Sequence, residues 1–434
     1  MSTVTAIQHQ LIETASQKPK NGFEDLRLPA KDFLETKGLP GNKHEEYKHT
    51  PVLRMLDKAF TYNIEKAESK LSGIEKFQIK DLDAHQITFI NGYFDAELSN
   101  FESAAGLSIS TLSAAKTKHA EIVEKYLGKI SPSITDAFAA LNSLAFEDGI
   151  FIHVAAGNVI AKPIMLQYLN DADTEVLSYP RVLIVVEAGG SLNVIEKYNA
   201  SGSAAHLTNR VMEISVAEEA KIDLVQIQHD DTDSYQINNT TILQKDKSHV
   251  NCATFTLSGK LVRNNLNLIL DGENCEGHMY GLYLIKANTL VDNHTSVDHK
   301  KANSFSNELY KGLIDDKAKG VFNGKIFVRP DAQKTNAFQA NNNILLADTA
   351  LVNTKPQLEI WADDVKCSHG CTIGQLDEEG LFYLRSRGLS KDKAKAILLM
   401  AFIGEVMESV KEESVKNYLQ ELVSERLHQE ATWA

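Results

Sequence analysis

Cys367, His369 and Cys371 stand two residues apart within 362–388, ADDVKCSHGCTIGQLDEEGLFYLRSRG. Thiolates and an imidazole are donors for iron–sulfur, zinc and copper chemistry. On a helix Cys367 and Cys371 share a face and His369 turns away. On a strand side chains alternate, so all three face one side. A strand advances about 3.3 Å per residue, which sets the outer Cα atoms about 13 Å apart. Zinc–sulfur bonds are about 2.3 Å long, so one ion reaches both thiolates only if the chain bends, which Gly370 permits. A zinc ribbon needs a second cysteine pair at close spacing, and of the four cysteines the other two, Cys252 and Cys275, are not so spaced. Further ligands would come from Cys252 or Cys275 after folding, or from a partner chain. The plainer alternative is that the thiols act as small hydrophobes in a core.

Elsewhere the chemistry is sparse. There is no Walker A: the nearest string, GENCEGHM at 272–279, lacks the Lys and the Ser/Thr that reach phosphate and Mg²⁺. No G-x-G-x-x-G follows a strand, and neither a G-x-S-x-G elbow nor an H-E-x-x-H is present. Isolated histidines such as His153 and His249 read as surface or hydrogen-bonded residues. In DNHTSVDHK, 292–300, Asp292, His294 and Asp298 share one strand face and read as the polar outer face of a β-coil. A solenoid with two close carboxylates would be a polysaccharide enzyme. Against that, Trp361 and Trp433 are the only tryptophans available to build an aromatic platform.

Three regions must position these residues. Residues 1–146 are mostly helical: 2–18, 22–38, 114–128 and 133–149 carry apolar residues at helical spacing, the last behind a Ser/Thr-type cap. The string HQITFING, 85–92, is β-like. Residues 147–366 change period. Short runs such as GIFIHV, PIMLQYL and GHMYGLYLI, rich in β-branched and aromatic residues, alternate with Gly, Asn, Asp and Ser turns. More than 200 residues without a long amphipathic helix argue against a doubly wound α/β sheet. Hairpin signals are few, FNGK at 322–325 being the exception. The coil lengths suit a parallel β-helix ahead of a large sandwich, with the flanking helices as end caps.

Residues 367–434 hold the end strand and a helical domain. Asp377 and Ser390 are N-caps and Gly388 a C′ glycine. Ala394, Ile397, Leu398, Ala401 and Phe402 form one apolar stripe, and Val415, Leu419, Leu422 and Val423 a second. Both read as self-packing faces, with the outer face open to a partner.

The 434 residues carry 45 basic and 58 acidic side chains, a net charge of −13. That balance excludes sequence-independent nucleic-acid binding and an anionic membrane surface. The longest apolar run, AILLMAFIG at 396–404, is too short to span a bilayer, and the N-terminal stretch does not read as a signal peptide. Four cysteines in so long a chain make no disulfide framework, so the expectation is a cytoplasmic protein with reduced thiols.

The strings RPDAQKTNAFQANNNILLADTA (329–350), KPQLEIWADDVKC (355–367) and ADDVKCSHGCTIGQLDEEGLFYLRSRGLS resemble the SufB/SufD family of iron–sulfur cluster assembly proteins. The distinctive motifs cover about 309–402. GLPGNKHEEYKHT (38–50), the length and the string CSHG favour its SufD branch. The resemblance implies a mainly β fold, a right-handed parallel β-helix between helical end domains, and no enzymatic activity or nucleotide site. It implies a scaffold complex with SufB and the ATPase SufC, with SufC docked on the C-terminal helices. SufB would pair at the C-terminal end of the β-helix, and the isolated chain could form a homodimer through that surface. It further implies a transient iron–sulfur cluster at the SufB interface, with His369 and Cys367 as metal-site residues. Cys371 departs from the family pattern, where an alanine stands, and is not carried over. Two other readings stay open, a purely structural adaptor without cluster ligands and the solenoid carbohydrate enzyme.

Overall fold

A computed structural model describes residues 3–19, 22–41, 43–60, 69, 71, 73–102, 105–132, 134–171, 173–230 and 233–427. The end of the 367–434 segment, including Trp433, and Ser133 lie outside the described residues. The chain is mainly β, a parallel β-solenoid of about eight turns with helices flanking it at both termini.

Successive strands alternate between two sheets. The first sheet runs His85–Ile90, Ile164–Asp171, Ser191–Ser201, Lys221–Gln228, His249–Thr256, Glu276–Ile285, Phe305–Ile314, Asn336–Leu345, Lys366–Gly374. The second runs Ile150–Val154, Arg181–Val186, His206–Val216, Ser234–Gln244, Leu261–Leu270, Leu290–His299, Lys319–Val328, Leu351–Ile360. Each strand pairs in parallel with the strand one coil on: Lys221 opposes His249, His249 opposes Glu276, Glu276 opposes Phe305, and Phe305 opposes Asn336. Inward residues of both sheets, among them Leu224, Cys252, Met279, Phe322 and Ile326, fill one continuous core.

A corner recurs in every coil. Gly189, Glu219, Lys247, Asn274, Asn303 and Lys334 all have positive φ. The first five each donate their N–H to the carbonyl of the residue just before the matching corner one coil on, as from Glu219 to Asp246 (2.9 Å) and Lys247 to Glu273 (2.8 Å), and Lys334 donates to the Asp364 carbonyl. The left-handed conformation turns the chain from one sheet to the other, and the ladder of N–H bonds satisfies backbone that a turn would otherwise strand.

The helices do not cap the ends of the solenoid, as expected, but lie along its sides. N-terminal helices Thr3–Ser16, Glu24–Lys37, Val52–Ala59 and Ala137–Ala145 pack on the outer face of the second sheet, against Leu183, Leu207, Ile237 and Leu261. Helices Lys391–Met407 and Glu413–Arg426 pack on the outer face of the first, against Ile195, Val225, Phe255 and Leu282. Sheets covered on both faces lose the alternating in–out pattern, which is why a strand such as Arg181–Val186, RVLIVV, reads as a near-continuous apolar run.

The two ends of the solenoid differ. At the N-terminal end each sheet finishes on a largely half-buried antiparallel strand, Tyr93–Asn100 beside His85–Ile90 and Leu107–Thr111 beside Ile150–Val154. At the other end Leu351–Ile360 and Lys366–Gly374 are the last strands of their sheets, each paired along one edge only.

Several local expectations are corrected. The hairpin is at Asn91 and Gly92, both at positive φ, joining Ile90 to Tyr93. FNGK instead lies inside strand Lys319–Val328, where Gly324 leaves room for the Gln339 side chain. Helix Ala137–Ala145 starts from Asp136, whose carboxylate accepts from the N–H groups of Phe138 and Ala139, and not from a Ser or Thr. In helix Lys391–Met407 the buried stripe is Ala396, Leu399, Ile403, Val406 and Met407 together with Ala394. Ile397 and Ala401 face outward and Leu398 and Phe402 are half-buried, so the expected stripe is rotated toward solvent. Asp377, Ser390 and Gly388 do cap and terminate as their types suggest.

Candidate functional site at the open end of the solenoid

Strand Lys366–Gly374 lies in register with Asn336–Leu345, so Cys367 opposes Ala337, His369 opposes Gln339 and Cys371 opposes Asn341. Ala337, Gln339 and Asn341 are buried inward residues. Alternation therefore sets Cys367, His369 and Cys371 on the same, inward side, where they continue the interior rows into the mouth of the open coil. Cys367 is half-buried against the core, while His369 and Cys371 are exposed. Burial pushes the Cys367 thiol up, against a backbone hydrogen bond at Ala337 that lowers it. It is a neutral thiol until a metal or a cationic partner draws off its proton.

One interior row ends on His369. Cys252, Met279, Glu308, Gln339 and His369 stack in register, one per coil. Gln339 Nε2 donates to Glu308 Oε2 at 2.7 Å, while Glu308 Oε1 and Gln339 Oε1 have no hydrogen-bond partner. Burial raises the Glu308 carboxyl to about 7, against the lowering influence of the neighbouring Thr295 and Gln339 side chains. A second row ends on Cys371. Behind it Asn341 donates to the Tyr283 hydroxyl at 3.0 Å.

Neither remaining cysteine completes a ligand set with Cys367. Cys252 sits four ladder steps from His369, about 19 Å at the usual strand spacing. Cys275 is buried at a distant corner against Ser248 and the carbonyls of Lys245 and Gly272. Burial raises both thiols, Cys252 strongly. Among the described residues no third His, Cys, Asp or Glu donor gathers with Cys367 and His369.

The N-terminal segment is bound beside this mouth, a connection no local pattern announced. Glu46 accepts from His294 (3.1 Å), Asn323 (3.1 Å) and Lys325 (2.6 Å), and Glu45 accepts from Lys355 (2.6 Å). Thr50 donates to Asp292 at 2.5 Å, and the Arg263 guanidinium lies 3.8 Å over the Tyr47 ring. Residues 45–50 thus clip four successive coils of the second sheet. Asp292 and His294 do lie on the outer face of their strand, and this clip covers them there. The His294 hydrogen bond leads the causes, Lys325 among them, that hold Glu46 at about 2. Burial alone would raise Asp292, but Arg263, His294 and Thr50 outweigh it and bring it to about 2. A cavity of about 480 Å³ lies between clip and end, lined by Glu46, Thr50, Asn353, Thr354 and Ile373.

A larger groove of about 790 Å³ runs along the clip past Asp136, Asp298, Phe327 and Arg329. Phe327 and Trp361 stack there at 6.4 Å, with Arg329 over both. Its carboxylates are engaged: Asp298 is held by Arg329 (2.7 Å), Asp136 caps a helix and Glu46 sits in the clip. That is no free acid–base pair for glycoside hydrolysis.

Two apolar patches remain exposed. Ile373 (51%) and Trp361 (49%) rim the open end with Leu351 and Ile360, and Phe382 (75%) and Tyr383 stand out from helix Glu378–Ser386, as Ile397 does from helix Lys391–Met407. Among the described residues no helix is long and apolar enough to cross a membrane.

Comparison with known proteins gives a consistent result. Residues 168–402 match the family model described as SUF system FeS cluster assembly, SufBD core domain, and 5–166 match the SufBD protein N-terminal region. An iron–sulfur cluster assembly SufBD family protein of Synechocystis sp. is 31% identical over 97% of this chain and 96% of its own length. The iron–sulfur cluster assembly protein SufD of Escherichia coli is 30% identical over 90% of each chain. A chloroplastic Arabidopsis thaliana protein, ABCI7, is 29% identical over 68% of this chain and 63% of its own.

Proposed function

The chain belongs to the SufBD family of the SUF iron–sulfur cluster assembly system, and from that premise we propose that it acts as a SufD-type scaffold subunit. Its role is in iron–sulfur cluster assembly. In this reading it pairs through the open end of its solenoid with SufB, docks the ATPase SufC on its C-terminal helices, and contributes His369 and Cys367 to a transient cluster at the SufB interface. The cluster is cargo.

The observation that carries the reading is the contrast between the two ends of the solenoid. At one end the terminal strands are antiparallel additions that are largely half-buried. The other ends on two one-sided strands with apolar side chains at their rim. Bare strand edges are templates for pairing with another chain, and soluble proteins otherwise blunt or cover them. The half-exposed Cys367 and exposed His369 stand on that strand, with too few donors gathered among the described residues to close a metal site. The exposure of Ile397 and Ala401 on one C-terminal helix, and of Phe382 on another, supports a second docking face on the C-terminal helices.

Anaerobic reconstitution with SufB and SufC partners, followed by iron and sulfide assay, tests the site. His369→Ala is expected to lower cluster yield by about tenfold or more while the three subunits still co-purify. An unchanged yield in Cys367→Ala/His369→Ala would sink the ligand assignment and leave the adaptor reading, in which SufB supplies every ligand.

A further inference from the structure

On the outer face of the first sheet, well before the open end, His249, Glu276 and His278 bring three donor atoms within 4.8 Å of one another. In the sequence His249 stands isolated, because the register that joins it to the others spans a whole coil. His249 opposes Glu276 across the ladder, and His278 lies two residues beyond Glu276 on the same strand and face. The triangle is therefore set by two rigid strands, with no loop involved. His249 Nδ1 is 3.2 Å from Glu276 Oε2, and His278 Nε2 is 4.0 Å from the same oxygen.

The surroundings hold the imidazoles in place. The His278 ring stacks parallel to Tyr280 (6.3 Å, 3°) and packs on Phe305 (5.5 Å), and the two histidine rings are 5.3 Å apart. Beside them Asn251 donates to Asp223 (2.9 Å) and to the Ser409 carbonyl (3.2 Å), and Lys411 pairs with Asp223 (2.7 Å). The nearest other carboxylate and cation are thus tied to each other, leaving Glu276 to the histidines.

We infer that His249, Glu276 and His278 form a binding site for a divalent first-row transition ion. Two imidazoles and one carboxylate are the donor set of zinc and non-haem iron(II) sites that keep positions open for water or substrate. Calcium and magnesium are disfavoured, since they take oxygen ligands throughout. Bonds of about 2.0–2.2 Å bring tetrahedral donors to about 3.3 Å of one another, so closure needs side-chain rotation and no backbone movement. The site is separate from the end strand that carries Cys367 and His369.

Cobalt(II) is the probe. Chelator-treated full-length chain, titrated anaerobically, is expected to bind one cobalt ion with visible d–d absorption, no thiolate charge-transfer band, and displacement by zinc. His249→Ala, His278→Ala and the size-conserving Glu276→Gln should each weaken binding by at least about tenfold, with unchanged circular dichroism. Cys367→Ala/His369→Ala should leave it unaltered, which separates this site from the end strand. Wild-type affinity in the folded Glu276→Gln and histidine variants would overturn the assignment, as would the absence of stoichiometric binding.

Discussion

At the scale of single residues, Glu308 shows how an interior position is tuned. It is a carboxyl with one donor, Gln339, deep in an apolar solenoid. Burial holds it protonated to about 7. The folded chain therefore keeps a proton that the unfolded chain releases near the ordinary carboxyl value, and stability falls as pH rises from about 4.5 through 7. Glu308→Gln should remove that slope and raise stability above pH 7 by up to about 3 kcal/mol, read by denaturant unfolding between pH 5 and 8. An identical slope in the variant would contradict the assignment. Asp292 works with the opposite sign. Its carboxylate is held at about 2, so its contribution is complete above the unfolded value near 4 and is lost as pH falls toward 2. Asp292→Asn should cost about 3–5 kcal/mol at neutral pH, because Arg263 is left buried without its counter-charge, and should flatten the acid limb of the stability curve. A loss below about 1 kcal/mol would mean that the pair carries little of the clip.

At the scale of elements, what was legible followed from local rules. The helices at 3–16 and 24–37, the caps at Asp377 and Ser390 and the strand periods all rest on neighbours a few residues apart. The roughly 29-residue coil was not visible as a repeat, for a physical reason. Its corner asks only for positive φ, and Gly189, Glu219, Lys247, Asn274, Asn303 and Lys334 meet that demand with unlike side chains. The stripe on Lys391–Met407 was rotated because Ile397 and Phe402 are as apolar as the residues that are buried, and periodicity does not say which apolar face the solenoid covers. Cys367, His369 and Cys371 were legible as a strand face. The residues behind them and beside them, Gln339, Glu308 and the Glu45–Thr50 clip, were not, since they are joined by pairings tens to hundreds of residues long. The His249–Glu276–His278 triangle was hidden in the same way.

At the scale of the whole molecule, the solenoid is an asymmetric rod. Its sides are sheathed by helices, one end finishes on half-buried antiparallel strands, and the last coil offers exposed strands and an apolar rim. This architecture presents a site and leaves it incomplete, which fits a scaffold that needs a partner to make a cluster pocket. The chain carries its own reporter for that claim. Cys371 is exposed on the last strand, whereas Cys252 and Cys275 are buried. The most direct measurement is the rate of iodoacetamide alkylation at Cys371, followed by mass spectrometry with and without SufB. The account predicts that Cys371 reacts freely in the isolated monomer and is protected by about tenfold or more once the SufB complex forms. A stable complex in which Cys371 alkylates at the free rate would contradict pairing through the open end.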